Sequence, residues 1–290
     1  MNQRSTWLAI CQTGSLESKV WIKRIRKKFE MAMAIEVLPM TEEHLDGVER
    51  LQHECYPTME EHEKITAERA AHFLEVFREG QTVAVETSGS GRGRVVGMNS
   101  GFLVADFDFA KEGGHTFQEI TGGLTYSNHS PDGEFYYGYG EGSPKPKLQP
   151  RVRLTLSLSL SLSFSLSGDI CVSPAYRRRG VGRKLYESRK RIARELNLRG
   201  VVAGGMLTGL KAHREGPGAG CQAGEYVEKV CSGELVDPTL TFQLRCGFRV
   251  MGLLPGYIDD ASCCSTAALI FWENPNRATA EERAMARATT

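Results

Sequence analysis

Val172-Ser173-Pro174-Ala175-Tyr176-Arg177-Arg178-Arg179-Gly180-Val181-Gly182-Arg183 is the stretch on which the fold turns. Just before it, Ile170 to Val172 is a short apolar run stopped by Ser173-Pro174, the form of a buried strand. Just after it, Val181, Leu185, Ile192 and Leu196 recur at helical spacing and predict one apolar helix face. Val201 to Ala203 then reads as a second buried strand. Strand, glycine turn, helix and strand in that order make a βαβ unit, which calls for two parallel strands.

A helix start offers backbone N–H groups without intrahelical acceptors, together with the positive end of the dipole, and so favours an anion. Gly180 and Gly182 have no side chains to keep a diphosphate away from that backbone. Arg177, Arg178, Arg179 and Arg183 add charge, each worth on the order of 0.3 to 1 kcal/mol at a helix terminus. Such converging donors suit a cofactor phosphate. The arginines lack the interleaved aromatics of a single-stranded nucleic-acid platform.

Arg177-x-x-Gly180-x-Gly182, after a strand ending in Val-x-Pro, resembles the signature of the GNAT acetyltransferase superfamily. The resemblance extends to Arg94-Val95-Val96-Gly97, Glu119-Ile120-Thr121-Gly122, Val202-Ala203-Gly204-Gly205, Glu225-Tyr226-Val227, Gly233 to Arg245 and Gly247-Phe248-Arg249-Val250. These look like the GNAT domain of bacterial proteins that fuse it to a carbon–nitrogen hydrolase domain, and they cover most of residues 35–274. The resemblance implies an α/β (α+β) fold, with a mixed twisted sheet of six to seven strands flanked by helices. Its central parallel pair, Ile170 to Val172 and Val201 to Ala203, would splay apart to admit the pantetheine of acetyl-CoA.

Several roles follow from the resemblance. The diphosphate would sit on Arg177, Arg178, Arg179, Gly180, Val181, Gly182 and Arg183, and backbone groups at Ile170 and Val172 would pair with the pantetheine and polarise the thioester. The implied reaction is direct transfer of an acetyl group to a primary amine, on a small molecule or a lysine, with acetyl-CoA as co-substrate. Such an amine, with a pKa of about 10, needs a base or a water chain to remove a proton. Glu119 and Asp169 are the candidate carboxylates, each against the plainer alternative of a solvated side chain.

Many members of the family place a tyrosine four residues before the Gly-Phe pair as the acid for the leaving thiolate; this chain has Gln243 there. Tyr257 is the candidate substitute, against the alternative of a buried tyrosine with a satisfied hydroxyl. His129 in a turn and Cys171 on the cofactor strand are weighed and given structural readings. Gln243 also keeps a second class in view, a non-catalytic acyl-CoA-binding regulatory module.

Elsewhere, Ile35 to Leu38 predicts a strand and Thr41 caps a helix that runs to Cys55 before Pro57. Thr66 to Phe77 predicts a second helix with Ala70, Phe73, Leu74 and Phe77 on one face. Thr82 to Glu86 and Arg94 to Ala105 read as a hairpin. Asp237-Pro238 and Gly247 bracket a short helix as N-cap, N1 and C′. Phe248 to Leu254 and Ala267 to Trp272 complete the sheet. Residues 106–128 and 207–224 carry weak patterns and are expected to shape the acceptor pocket, so the acceptor itself is not readable.

Residues 1–34 are expected to form an irregular extension. Its basic cluster, Lys23, Arg24, Arg26, Lys27 and Lys28, allows an organellar transit segment, which Glu17 and Glu30 oppose; a start at Met31 or Met33 is the plainer reading. Residues 275–290 read as a tail. A net charge of +1 gives no bulk attraction to nucleic acid or an anionic membrane, and no apolar run approaches the about 18 residues of a membrane span. A soluble cytoplasmic protein is expected, with a homodimer compatible. Eight cysteines without a CxxC pair, and no HExxH, argue for free thiols and no metal site.

Residues 141–167 do not resemble the family. After Gly142-Ser143-Pro144-Lys145-Pro146-Lys147 they alternate Leu and Ser from Leu154 to Ser167, a monotony of low complexity rather than of a designed strand. Alternating Leu and Ser codons can spell a pyrimidine tract. Gly140-Glu141 can contain a donor-like GTGAG, and Ser167-Gly168 an acceptor-like CAG. The segment therefore reads as a retained intron, whose removal would join Tyr139, one glycine and Asp169 in frame.

Overall fold

A computed structural model describes residues 34–56, 64–87, 93–105, 107, 109, 114–123, 125–138 and 170–278. The chain divides into a small unit, Met1–Glu36 with Val85–Arg94, and a large one, Val37–Ala84 with Val95–Thr290. Of the small unit, the described part is the start of the first strand and the ends of the second and third beside residues 88–92. The N-terminal extension and residues 139–169, with the whole proposed insertion, lie outside the described residues, as does the tail beyond 278.

The strands are β1 (Ala34–Pro39), β2 (Thr82–Thr87), β3 (Arg94–Asn99), β4 (Gly101–Val104), β5 (Phe135–Gly138), β6 (Ile170–Val172), β7 (Gly200–Met206), β8 (Arg249–Pro255) and β9 (Thr266–Glu273). The helices are α1 (Leu45–Cys55), α2 (Ala67–Phe77), α3 (Phe117–Thr121), α4 (Val181–Glu195), α5 (Leu210–Arg214), α6 (Ala223–Ser232) and α7 (Leu240–Arg245). They form an α+β fold in which the predicted single sheet is two. One has the order β1-β2-β3-β6 and the other β4-β5-β7-β9-β8.

The division begins at Ser100, the one residue between β3 and β4. Its hydroxyl bonds the Gln81 side chain and lies 2.6 Å from Tyr126 Oη, which ties the bend down inside the protein. Antiparallel partners lie on each side of it: Gly101 is opposite Gly138, and Asn99 is opposite Ile170. β5 and β6 thus occupy successive places along one partner strand, although residues 139–169 separate them in sequence.

The predicted parallel pair is corrected by this topology. β7 pairs in parallel with β5, Phe135 to Tyr137 against Gly200 to Val202, whereas β6 pairs antiparallel with β3 in the other sheet. Periodicity identified both β6 and β7 as buried strands but could not say which strand each would pair with.

The helices follow their caps and apolar faces. Thr66 accepts from Arg69 N at 3.2 Å at the start of α2, and Ala70, Phe73, Leu74 and Phe77 are buried as predicted. Truncating a ring such as Phe73, 1% exposed, to alanine costs about 3 to 5 kcal/mol. In α4, Val181, Leu185 and Ile192 are buried, but Leu196 falls past the last turn and is 42% exposed. α7 starts at Leu240 rather than at Pro238. Asp237 still acts as its cap: Oδ1 accepts the Thr239 and Leu240 N–H groups, each at 2.8 Å. Oδ2 takes Gly209 N at 2.8 Å and the Tyr226 hydroxyl at 3.0 Å. Burial and the Asp237 charge hold that tyrosine's pKa well above its ordinary value.

Candidate active site

The loop between β6 and α4 is built by short-range geometry. Ser173 N donates to Val96 O at 2.9 Å and its hydroxyl to Glu54 Oε2 at 3.0 Å, which anchors the end of β6. Pro174–Tyr176 makes one 3-10 turn, Arg178 adopts φ 62°, and Gly180 takes φ 83° as the N-cap of α4. That left-handed cap favours glycine, and a Cβ there would meet nothing within 4 Å, so the space before the helix is open. At Gly182 a Cβ would press on Phe242 Cζ at 3.2 Å, so this glycine lets α7 approach the first turn of α4.

A groove of about 330 Å³ opens at this helix start. Its walls include Ile170 and Val172 of β6, Arg177, Arg178, Gly180, Val181, Gly182 and Arg183, together with Thr239, just before α7, and Phe242 of α7. Arg179 does not line it; its guanidinium lies 4.9 Å from the centre of the Tyr176 ring. Arg177 turns its Nε to Val172 O at 3.2 Å, so it braces β6 as well as charging the groove.

β7 pairs with β5 through Tyr137 and Val202 and runs on to Met206, while β6 pairs with β3 in the other sheet. The two faces of β7 near its end carry different chemistry. A Cβ on Gly204 would collide with the Tyr257 ring, and one on Gly205 with the Gln243 amide. Gln243 is 1% exposed and donates from Nε2 to Tyr186 Oη at 3.1 Å; its Oε1 has no partner among the described residues.

On the Tyr257 side, three groups form a chain. Tyr257 Oη is 2.9 Å from Tyr137 Oη, which is 2.8 Å from His115 Nε2. Phe117 N donates to Tyr257 O at 2.9 Å, and the His115, Phe117 and Tyr257 rings meet edge to face. Both tyrosines are buried and the histidine is half-buried.

The structure separates the sequence candidates. Tyr257 packs against Gly204 of β7, its hydroxyl beside that of Tyr137. Glu119 is exposed, and its carboxylate accepts Thr116 N at 2.8 Å in the capping box of α3. Asp169 lies outside the described residues. His129 accepts from Leu103 N at 3.2 Å and stacks on Phe77, a structural place. Sequence reasoning missed His115, Tyr137 and Tyr186. None of them sits in a local motif, and only the aromatic run of β5 hinted at one. Among the described residues no group of three or more His, Cys, Asp or Glu side chains could hold a metal ion, and no helix is long and apolar enough to cross a membrane.

Residues 45–214 match the acetyltransferase (GNAT) family. The chain belongs to that family. The GNAT domain is 32% identical over 248 residues to the probable hydrolase YhcX of Bacillus subtilis (strain 168), an alignment that takes in 85% of this chain and 40% of that protein. The chain therefore spans well under half of that relative. It is also 26% identical over 251 residues to the uncharacterized N-acetyltransferase YkwB of the same organism, covering 86% of this chain and 91% of that one. Among solved structures, the GphF GNAT-like decarboxylase in complex with isobutyryl-CoA superposes with a TM-score of 0.56 at 18% identity, over 82% of this chain and 99% of that one. That likeness is one of fold. The GNAT fold binds acyl-CoA, and its mixed sheets and parallel pair are those of β5 and β7 here.

Proposed function

We propose that this chain is an acyl-CoA-dependent N-acetyltransferase that moves an acetyl group from acetyl-CoA to a primary amine, on a small molecule or a lysine, by direct attack in a ternary complex. The observation that carries the proposal is the open groove at the α4 start, walled by β6 and by Arg177, Arg178 and Arg183. A diphosphate would be held by the first-turn N–H groups of Val181, Gly182 and Arg183 with the charges of Arg177, Arg178 and Arg183. Arg179, turned onto Tyr176, would contribute only longer-range charge. Backbone groups near Ile170 and Val172 would pair with pantetheine and polarise the thioester as negative charge develops on its oxygen.

The acceptor amine gives up two protons over the reaction, one of which returns to the thiolate as the C–S bond breaks. Tyr257 would handle one of them, with its contact to Tyr137, and that tyrosine's to His115, supporting the reading. Glu119 would have to leave the α3 cap to act as a base, so the hydroxyl chain is preferred to it. Gln243, where many relatives have tyrosine, favours the second reading, a regulatory module that binds acyl-CoA without turnover.

Titration with acetyl-CoA followed by thiol release across a panel of amines tests the proposal. Saturable binding with acceptor-dependent CoA release is the expected result. Binding without release for any amine transfers the chain to the regulatory reading, and no binding removes both.

A further inference from the structure

The groove contains two thiols that the proposed reaction does not use. Cys55 is the last residue of α1 and Cys171 the middle residue of β6, and both line the wall beside Arg177. Helix α1 packs against β6, so the two thiols share one wall of the groove with Arg177. Neither thiol is exposed at the outer surface, with relative exposures of 3% and 7%, so a small solute reaches them through the groove.

We propose that Cys55 and Cys171 are a peroxide-sensitive dithiol built into the groove wall, oxidised to an intramolecular disulfide that competes with ligand occupancy. The thiolate is the nucleophile in such chemistry. The Cys171 hydrogen bond first, then the Arg177 charge and its hydrogen bond, hold the Cys55 thiol below its ordinary pKa, against the opposing effects of burial and the neighbouring Glu54 carboxylate. The remaining described cysteines lack this setting. Burial pushes Cys221, Cys231 and Cys246 upward and carries Cys263 up to about 12.

The reaction balances with a hydroperoxide as the oxidant. The Cys55 thiolate attacks the peroxide oxygen, the O–O bond breaks, and with one proton taken up the products are a sulfenic acid and water or an alcohol. The Cys171 sulfur then displaces hydroxide from the sulfenic sulfur as the S–S bond forms, and its proton leaves with that hydroxide as water. Two thiols are oxidised by two electrons and one peroxide is reduced. Closing a bond of about 2.0 Å draws the two sulfurs together and shifts the wall between α1 and β6.

This inference stands apart from the acetyltransferase reading, because its test reads a disulfide in the ligand-free protein and not acyl transfer. The test treats the native full-length protein with limiting hydrogen peroxide, quenches it by alkylation and maps the peptides by mass spectrometry. The expected result is a Cys55–Cys171 linked peptide, lighter than the sum of its parts by two hydrogens, absent from Cys55→Ser and formed more slowly in Arg177→Gln. Wild-type alkylation rates at the two sites supply the same ranking if Cys55→Ser does not fold. Desulfo-CoA, which has no thiol of its own to exchange, should suppress the linkage. Oxidation of Cys55 to sulfinic acid without linkage, or linkage only after denaturation, overturns the proposal. Linkage that desulfo-CoA leaves untouched supports the dithiol and counts against CoA as the occupant of the groove.

Discussion

Tyr257 Oη and Tyr137 Oη lie 2.9 Å apart although 120 residues separate them, and both are buried, Tyr137 on β5 and Tyr257 against Gly204 of β7. If the pair carries a proton in acyl transfer, Tyr257→Phe leaves acetyl-CoA affinity unchanged and lowers kcat by about 10²-fold, the lower end for general acid–base groups. Tyr137→Phe falls less, since the Tyr257 hydroxyl remains. Steady-state kinetics on the two variants, with acetyl-CoA binding by calorimetry, checks the split; a loss confined to KM would assign the pair to binding instead.

The N-terminal turn of α4 gives a prediction about affinity. Arg177→Ala and Arg183→Ala each remove a charge worth on the order of 0.3 to 1 kcal/mol, so the Kd for CoA should rise about two- to fivefold per site and more steeply at low salt. Arg177→Ala should cost more, because its bond to Val172 O is lost as well. Arg179→Ala, whose side chain covers Tyr176, should have the smallest effect. Calorimetric titration at two ionic strengths ranks the three.

Close approach at β7 leaves no room for a methyl group. Gly204→Ala drives a Cβ into the Tyr257 ring and Gly205→Ala into the Gln243 amide, with both neighbours fixed by hydrogen bonds. Overpacking of this kind costs about 1 to 3 kcal/mol. A lowered urea midpoint with an unchanged slope is the expected signature.

Two histidines predict how stability depends on pH. Burial lowers the pKa of His44 and of His129 from the ordinary 6.5. The neutral rings are those the fold uses: His44 Nδ1 accepts Thr41 N at 3.1 Å, and His129 Nδ1 accepts Leu103 N at 3.2 Å. Between the lowered folded values and 6.5 the unfolded chain binds more protons, so stability is present in full above that window and is lost as pH falls through it. Chemical denaturation across pH 5 to 8 should show this slope, and the double variant His44→Gln, His129→Asn should flatten it.

The insertion makes a structural prediction. Gly138 faces Gly101 and Ile170 faces Asn99, so the partner strand places only Ser100 between them. Deleting 141–168 leaves Tyr139, Gly140 and Asp169 to cross that gap, a length suited to a bulge. Shortening the connection between fixed strand ends should stabilise the protein by about 2 kcal/mol through closure entropy. A melting temperature at or above that of the full chain is expected, and an unfolded deletion variant would make the segment part of the fold. Transcript sequencing decides separately whether the segment is an intron.

Much of the fold was legible because its signals are local. Thr66 capping α2, Pro174 and Gly180 framing the loop, and the Val181, Leu185 and Ile192 stripe each depend on residues within a turn or two. Where the same reasoning slipped, longer-range contacts had decided. Asp237 moved the start of α7 because its carboxylate is shared with Gly209 and Tyr226, and Leu196 fits the helical period but lies beyond the last turn. The groove arginines were visible as a motif, yet Arg179 alone turned away, toward a ring three residues back. Glu119, read as a candidate base, was equally legible as the fourth residue of a Thr-x-x-Glu capping box.

By itself the sequence determined the family, the glycine-framed helix start and the order of most elements, because dihedral preferences, caps and hydrophobic period act over a few residues. Only the tertiary structure decided that β5 rather than β6 lies beside β7, that Tyr257 meets Tyr137 and His115, and that Cys55 and Cys171 line one groove. Those meetings depend on sheet register and on the bend at Ser100, where burial of many side chains at once selects one pairing among several that local preference leaves equal.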